Sequence, residues 1–273
     1  MSEIICRYSK KYWEERSKNG GSDLSLARDI RVPLHGKNAR DFQNYEKMMA
    51  HFCWDGSQGL VLDAGCGPGN LYDLGREFCN GNVNYVGMDY VYDFLKRARN
   101  KDKFANFCQG DVMNLPFKSH IFERIILSGV LPAMDSLNSI KIVLREAHRL
   151  LKSEGTIIVD AVPNTFGLLF LFSPSRYKAI GAKILEMITN KPFYREHAFK
   201  IYGISPFWLK KEIETLNFEV VTYSGYNRPF LHFRIFGKIV DKILNRLSSL
   251  APKCLPYSFN RVFFKARKMG RSL

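Results

Sequence analysis

The sequence predicts an α/β fold, a doubly wound seven-stranded sheet that is mostly parallel, has an antiparallel last strand and carries a helical, aromatic-rich lid insertion. Three observations predict it. Short, near-continuous apolar runs alternate with segments of helical periodicity, the pattern of a parallel sheet covered on both faces. A glycine-rich turn joins the first apolar run to the first helical segment. The alternation lapses once, over residues 163–203, and then resumes.

Taken in order, residues 1–54 mix charge with aromatics and are expected to form a helical flap, with a helix over 41–54. Strands are expected over 60–63, 83–88, 104–109, 122–128 and 156–161, and helices over 69–79, 91–100 and 138–152. In the last of these helices Ile140, Val143, Leu144, Ala147, Leu150 and Leu151 share one face. His148 follows with Arg145 and Arg149 and is expected in solvent, and Gly155 is expected to end the helix–strand connection. Beyond Pro163 the chain turns aromatic, with helices over 166–172 and 176–188 broken by Pro174 and Pro192. Ser205 as N-cap and Pro206 at the first helical position open a helix over 206–216. A strand over 218–224, a helix over 232–249 and a strand over 259–266 complete the sheet. The organisation expected is one domain over 55–273 with an insertion at 163–203, behind the flap at 1–54.

The 273 residues carry a formal charge of +15. Such a charge suggests an anionic partner, nucleic acid or an anionic membrane surface, and also serves solubility. Much of it lies from Pro229 to Leu273, where ten Lys and Arg stand against Asp241 alone. Within that stretch Phe233, Phe236, Ile239, Val240, Ile243, Leu244 and Leu247 form an apolar helical face flanked by Arg234, Lys238, Lys242 and Arg246. That face suits sheet packing or a membrane interface. The six cysteines contain no C-x-x-C pair, so neither a zinc site nor a thioredoxin-type pair is expected, and reduced thiols are. No metal site is expected. No signal peptide and no apolar run of spanning length is read, and the expected location is cytoplasmic, with contact to a membrane from one side.

The turn itself reads Leu60-Val61-Leu62-Asp63-Ala64-Gly65-Cys66-Gly67-Pro68-Gly69-Asn70. Glycines at the start of a helix let a ligand approach the backbone closely. A dinucleotide fingerprint would need glycine where Asn70 stands. Asp63 would repel a pyrophosphate but suits an ammonium group, which favours S-adenosylmethionine over NAD. Asp89 ends the second strand 20 residues after Gly69, where an acid accepts from ribose hydroxyls. Asp111 follows the third strand, where it can accept from an adenine amino group. Each acid alone also reads as a helix cap or turn aspartate. All three at successive strand ends line one crevice.

On these residues the chain resembles the class I S-adenosylmethionine-dependent methyltransferases of the type 11, UbiE-like group, closely over about residues 45–162. The glycine turn from Val61 to Gly69 matches the group's first motif, and Asp111 with Leu115-Pro116-Phe117 matches its D-x-x-x-L-P-F run. The resemblance implies a Rossmann-like fold and S-adenosylmethionine as cofactor. It also implies that Asp63, Gly65, Gly67 and Gly69 hold the methionine portion, Asp89 the ribose, and Tyr90, Asp111 and Val112 the adenine. Ser128 opens the stretch Ser128-Gly129-Val130-Leu131-Pro132-Ala133 and joins the cofactor set. Relatives often carry histidine at the place of Ala133, so an acid–base group is missing there.

The acceptor expected is a small or lipid-like molecule methylated at oxygen or carbon. His197, inside the lid, is the candidate base for an oxygen nucleophile. His35 lies in an N-terminal stretch, and Tyr8, Tyr12 and Trp13 can close over the cofactor or pack in the core. The stretch after the fourth strand lacks the Asn/Asp-Pro-Pro-Tyr/Phe run of nucleobase amino-methyltransferases, and neither Cys79 nor Cys108 sits beside proline as a cytosine C5 nucleophile would. An RNA acceptor using the basic C-terminal surface, and a cofactor-binding scaffold without catalysis, are the alternatives.

Overall fold

A computed structural model describes residues 10–18, 47–56, 59–163, 205–226 and 261–270. The helices are α1 (Lys10–Lys18), α2 (47–54), α3 (Asn70–Phe78), α4 (Tyr92–Lys101), α5 (Leu137–Leu150) and α6 (Pro206–Thr215). The strands are β1 (Val61–Ala64), β2 (Tyr85–Asp89), β3 (Asn106–Gln109), β4 (Phe122–Ser128), β5 (Leu151–Pro163), β6 (Phe218–Tyr226) and β7 (Arg261–Lys268). They form one sheet in the order β3-β2-β1-β4-β5-β7-β6. Strands β1 to β5 pair in parallel, and β7 runs antiparallel to both β5 and β6. The expected helices over 166–172, 176–188 and 232–249, the lid at 163–203 apart from Pro163, and Tyr8, His35 and His197 lie outside the described residues.

Successive strand residues point to opposite faces, and the sheet is covered on both. Ile126, Ile158 and Phe263 pack with α2, α3 and α4 around Trp54, Tyr72, Tyr85 and Phe107. Ile125, Leu127, Ile157, Val159 and Phe264 pack with α5 and α6 around Ile140, Val143, Leu144, Leu209 and Ile213. Chain order reverses between β1 and β4, so a crevice opens outside their carboxyl ends. Ser136 and Ser205 accept from Ser139 N–H and Trp208 N–H and cap α5 and α6.

Two differences from the sequence expectation have clear causes. No connector separates α5 from β5, because Leu151 already pairs with Phe122 before the register jumps to Arg124 opposite Thr156. Residues 152–155 bulge out between these pairs, Glu154 turns left-handed at φ 61°, and a Cβ on Gly155 would stand 3.0 Å from the Lys152 carbonyl oxygen. His148 is half-buried rather than solvated: its ring meets Phe218 at 5.2 Å, and its carbonyl accepts from buried Lys268 of β7 at 2.7 Å. Lys268 also donates to the Leu151 carbonyl at 2.8 Å and lies 3.3 Å from His120 Nδ1, joining three elements at the amino edge of the parallel strands.

A second buried cation ties α2 to the sheet. Arg124, only 6% exposed, donates to the carbonyls of Cys53 at 2.6 Å and Asp55 at 3.2 Å and to Thr156 Oγ1 at 3.1 Å. It satisfies carbonyls that the end of a helix leaves open. Arg124→Met should lower unfolding stability by about 2 kcal/mol, since bonds to a charged donor are worth roughly 1.5–3 kcal/mol each and losses of this kind are not additive. Urea unfolding reads this, and an unchanged midpoint would mean that the clasp contributes nothing. For His148, burial first and then Lys268 and His120 hold the imidazole below its usual range. The unfolded chain therefore binds the proton first, so the contribution is complete above the ordinary imidazole range and is lost as pH falls through it. His148→Phe keeps the ring contact and should flatten the acid-side slope of the urea midpoint; equal slopes in the two proteins would contradict the assignment.

Candidate functional site

The crevice is built on the turn from β1 into α3. Asp63, next to last in the wholly buried β1, is 1% exposed, and Tyr85 at the start of β2 donates its hydroxyl to Asp63 Oδ2 at 2.9 Å. The chain then turns sharply. Gly65 N–H and Cys66 N–H both donate to the Met88 carbonyl, at 2.7 and 2.9 Å, and Gly67 N–H donates to Asp89 Oδ2 at 2.8 Å. The turn is thus hung on the end of the neighbouring strand.

Glycine is required by this path. Gly65, Gly67 and Gly69 have φ of 89°, 54° and 80°, in the left-handed region that side chains disfavour. A Cβ on Gly65 would in addition stand 2.4 Å from Val130 Cγ2, across the gap between β1 and β4. Gly69 caps α3 with no side-chain acceptor, leaving first-turn N–H groups facing the turn. Asn70, the first helical residue, has a buried side-chain Nδ2 with no hydrogen-bond partner among the described residues.

Asp89 closes β2 with Oδ1 accepting from Val91 N–H at 2.8 Å and Oδ2 from Gly67 N–H. A carboxylate has about four lone-pair directions, so acceptor capacity remains for a ligand hydroxyl beside the backbone N–H groups. Burial pushes the Asp89 carboxyl up, against the backbone N–H groups of Val91, Gly67 and Tyr90, which pull it down. Burial, then Asp63, likewise pushes the Tyr85 phenol well up, and the Cys66 thiol follows for the same reasons, with Asp89 adding to it. The protonated phenol remains a donor to Asp63, and the thiol stays un-ionised.

The other expected residues gather along the same edge. Tyr90 is 39% exposed beside Asp89, and its carbonyl accepts from Gln109 Nε2 at 3.0 Å. Asp111 follows β3 and accepts from Met113 N–H through Oδ1 at 3.0 Å, holding a tight turn, while Val112 packs against the core. Ser128 ends β4. Next to it, Gly129 has φ 72° and open space where a Cβ would be, and Val130 and Leu131 are buried. Ala133 closes a short 3-10 turn over Leu131–Ala133 and brings no acid–base group there. Trp13 of α1 packs against Val91 and Phe94, directly beyond Asp89, in a T-shaped contact with the Phe94 ring at 6.5 Å.

Two supports escaped the sequence reading. Tyr85 positions Asp63, and its only sequence signal was a tyrosine opening the strand beside the acid. Glu146 and Arg149 of α5 grip the Leu115-Pro116-Phe117 segment: Glu146 accepts from Leu115 N–H at 2.9 Å, and Arg149 donates to the carbonyls of Leu115 and Phe117, both at 2.9 Å. An acid and an arginine three apart on a helix were the available sign.

The site thus offers two buried or partly buried carboxylates, a helix start with no side-chain cap, and open space over Gly129. This donor set fits a ligand bearing an ammonium, a carboxylate and a ribose diol, the groups of S-adenosylmethionine. No cluster of three metal-binding side chains occurs among the described residues.

Comparisons with known proteins agree. Residues 62–159 match the family model of a methyltransferase domain, type 11. A malonyl-[acyl-carrier protein] O-methyltransferase of Hamiltonella defensa is 31% identical over 108 residues, 40% of this chain and 40% of that protein. A probable tRNA methyltransferase 9B of Homo sapiens is 31% identical over 100 residues, 37% of this chain and 20% of that protein. The chain therefore spans less than half the length of either relative. The fold of magnesium protoporphyrin IX methyltransferase from Synechocystis PCC 6803, solved with S-adenosylhomocysteine, superposes with a TM-score of 0.56 at 15% identity, covering 96% of this chain and 95% of that one. The glycine turn, the acids at the ends of β1 and β2, the sheet order and the family match together make the segment from residue 62 to residue 159 a class I S-adenosylmethionine-dependent methyltransferase domain.

Proposed function

We propose that the chain transfers a methyl group from S-adenosylmethionine to a small or lipid-like acceptor, at oxygen or carbon. The observation that carries the reading is the pair of acids, Asp63 and Asp89, brought to one glycine turn through the Gly67 N–H bond. In this reading Asp63 takes the ammonium group, and Gly65, Gly67 and Gly69 make room for the methionine portion. Asp89 accepts from the ribose hydroxyls, Tyr90, Asp111 and Val112 border the adenine, and Ser128 borders the crevice from β4. When bound, S-adenosylmethionine supplies an electrophilic methyl group on a sulfonium. The protein's task is then alignment and the exclusion of water, because no protein nucleophile is needed. With Ala133 unable to take a proton, an oxygen acceptor would rely on His197, which lies outside the described residues. The name of the Hamiltonella relative, an O-methyltransferase of a malonyl group on acyl-carrier protein, supports transfer to oxygen of a small acyl acceptor. An RNA acceptor is the second reading, favoured by the name of the human relative.

No described helix is long and apolar enough to cross a membrane.

Two measurements test the proposal. Asp89→Ala should weaken S-adenosylhomocysteine binding by roughly a hundredfold or more in equilibrium dialysis, since hydrogen bonds to a charged acceptor are lost; near-native affinity would remove Asp89 from the site. Incubation of cell extract with methyl-labelled S-adenosylmethionine should put label into the organic-soluble fraction with the wild-type protein and not with Asp89→Ala. Label confined to a nuclease-sensitive fraction would move the reading to RNA, and no transfer to any fraction would contradict methyl transfer.

A further inference from the structure

The exposed side of α4 carries a pattern that the cofactor crevice does not use. Tyr92, Lys96, Arg99 and Asn100 are exposed at helical spacing on α4, and exposed Lys103 and Phe104 follow in the turn after its end, while Phe94, Leu95 and Ala98 bury the opposite side of the helix. Aromatic rings stand at both ends of this stripe with cations between them. Tyr92 is 50% exposed, with Lys96 Nζ 5.4 Å from its ring centre. Phe104 is 85% exposed, with Lys103 Nζ 5.1 Å from its ring. Arg99, in the middle, reaches the Phe107 carbonyl of edge strand β3 at 2.7 Å.

The positive charge along the stripe is not cancelled locally. No ion pair among the described residues involves Lys96, Arg99 or Lys103. The two acids of the segment are engaged elsewhere. Asp102 accepts from Tyr72 at 2.8 Å and Arg76 at 2.9 Å, and Asp93 accepts from Ser17 at 3.5 Å. The ten residues of α4 span about 15 Å at 1.5 Å per residue, Tyr92 stands three residues after Asp89, and Lys103 and Phe104 lie past the extended Asp102 at the far end.

We propose that the exposed face of α4 together with the turn after it docks single-stranded nucleic acid, with phosphates on Lys96, Arg99 and Lys103 and bases stacked on Tyr92 and Phe104. Cations that track a backbone, set between rings on which bases stack, are what sequence-tolerant binding of single strands requires. A membrane surface fits less well. Interfacial binding scales with the apolar area inserted, and here the apolar side of α4 is buried in the core, leaving two separate rings with charges between them. A strand on this face would run to the rim of the cofactor crevice. The inference goes beyond methyl transfer and holds whatever the methyl acceptor is.

The test is fluorescence anisotropy of the full chain with a labelled oligouridine of ~16 nucleotides, long enough for such surfaces. Wild-type protein should bind, with affinity falling as salt rises. Lys96→Gln with Lys103→Gln should weaken binding about tenfold and reduce the salt slope by about 1.4, the value for two lost contacts to a single strand. Tyr92→Ala with Phe104→Ala should weaken binding by about tenfold or more while leaving the salt slope in place. Unchanged S-adenosylhomocysteine binding in both variants shows that the fold and the cofactor site are intact, which separates this result from any failure of the methyl-transfer reading. Absence of binding by wild-type protein, or both variants binding like wild type, would overturn the proposal. So would phosphatidylglycerol vesicles binding through these same residues while the oligomer fails to compete.

Discussion

The hydrogen bond from Gly67 N–H to the Asp89 carboxylate, 2.8 Å long, is the contact on which the crevice depends. It fixes a turn that has no regular partner of its own to the end of β2, and it orients Asp89 at the same time. The neighbouring bonds from Gly65 and Cys66 to the Met88 carbonyl repeat the tie one residue earlier. Without them the three left-handed glycines would have no reason to hold one path, and the start of α3 would not face the crevice. One carboxylate therefore serves structure through backbone N–H groups and keeps acceptor capacity for a ligand.

The rest of the domain keeps that edge rigid. The sheet is covered on both faces, and its reversal between β1 and β4 places the glycine turn opposite Val130. At the far edge, buried Lys268 and buried Arg124 satisfy carbonyls where helices and strands end, so positive charge is stationed in both places. At the near edge Glu146 and Arg149 hold the Leu115–Phe117 segment, so the loop after Asp111 is braced from α5. Chemistry at one edge is thus supported by capping at the other.

Much of this was legible in the sequence because it rests on period and on glycine. The alternation of apolar runs with helical faces gave the seven strands, of which β4 spans the residues expected, Phe122 to Ser128. Asp63, Gly65, Gly67, Gly69 and Asp89 were identified by spacing, and they meet at one turn. What escaped depends on partners distant in the chain. Nothing near Tyr85 indicates that its hydroxyl meets Asp63, and nothing near His148 indicates that Phe218 and Lys268 cover it, because β6 and β7 arrive from 70 and 120 residues away. The bulge at 152–155 was hidden for a related reason: Gly155 reads as a helix-ending glycine, whereas its position is set by the Phe122 and Arg124 pairings.

The measurement that bears most directly on the crevice is calorimetric titration of the purified protein with S-adenosylhomocysteine, run beside NAD. A carboxylate at Asp63 and asparagine at position 70 predict binding of S-adenosylhomocysteine alone. Binding of NAD, or of neither ligand, would contradict the reading of the glycine turn as a site for a cationic nucleoside.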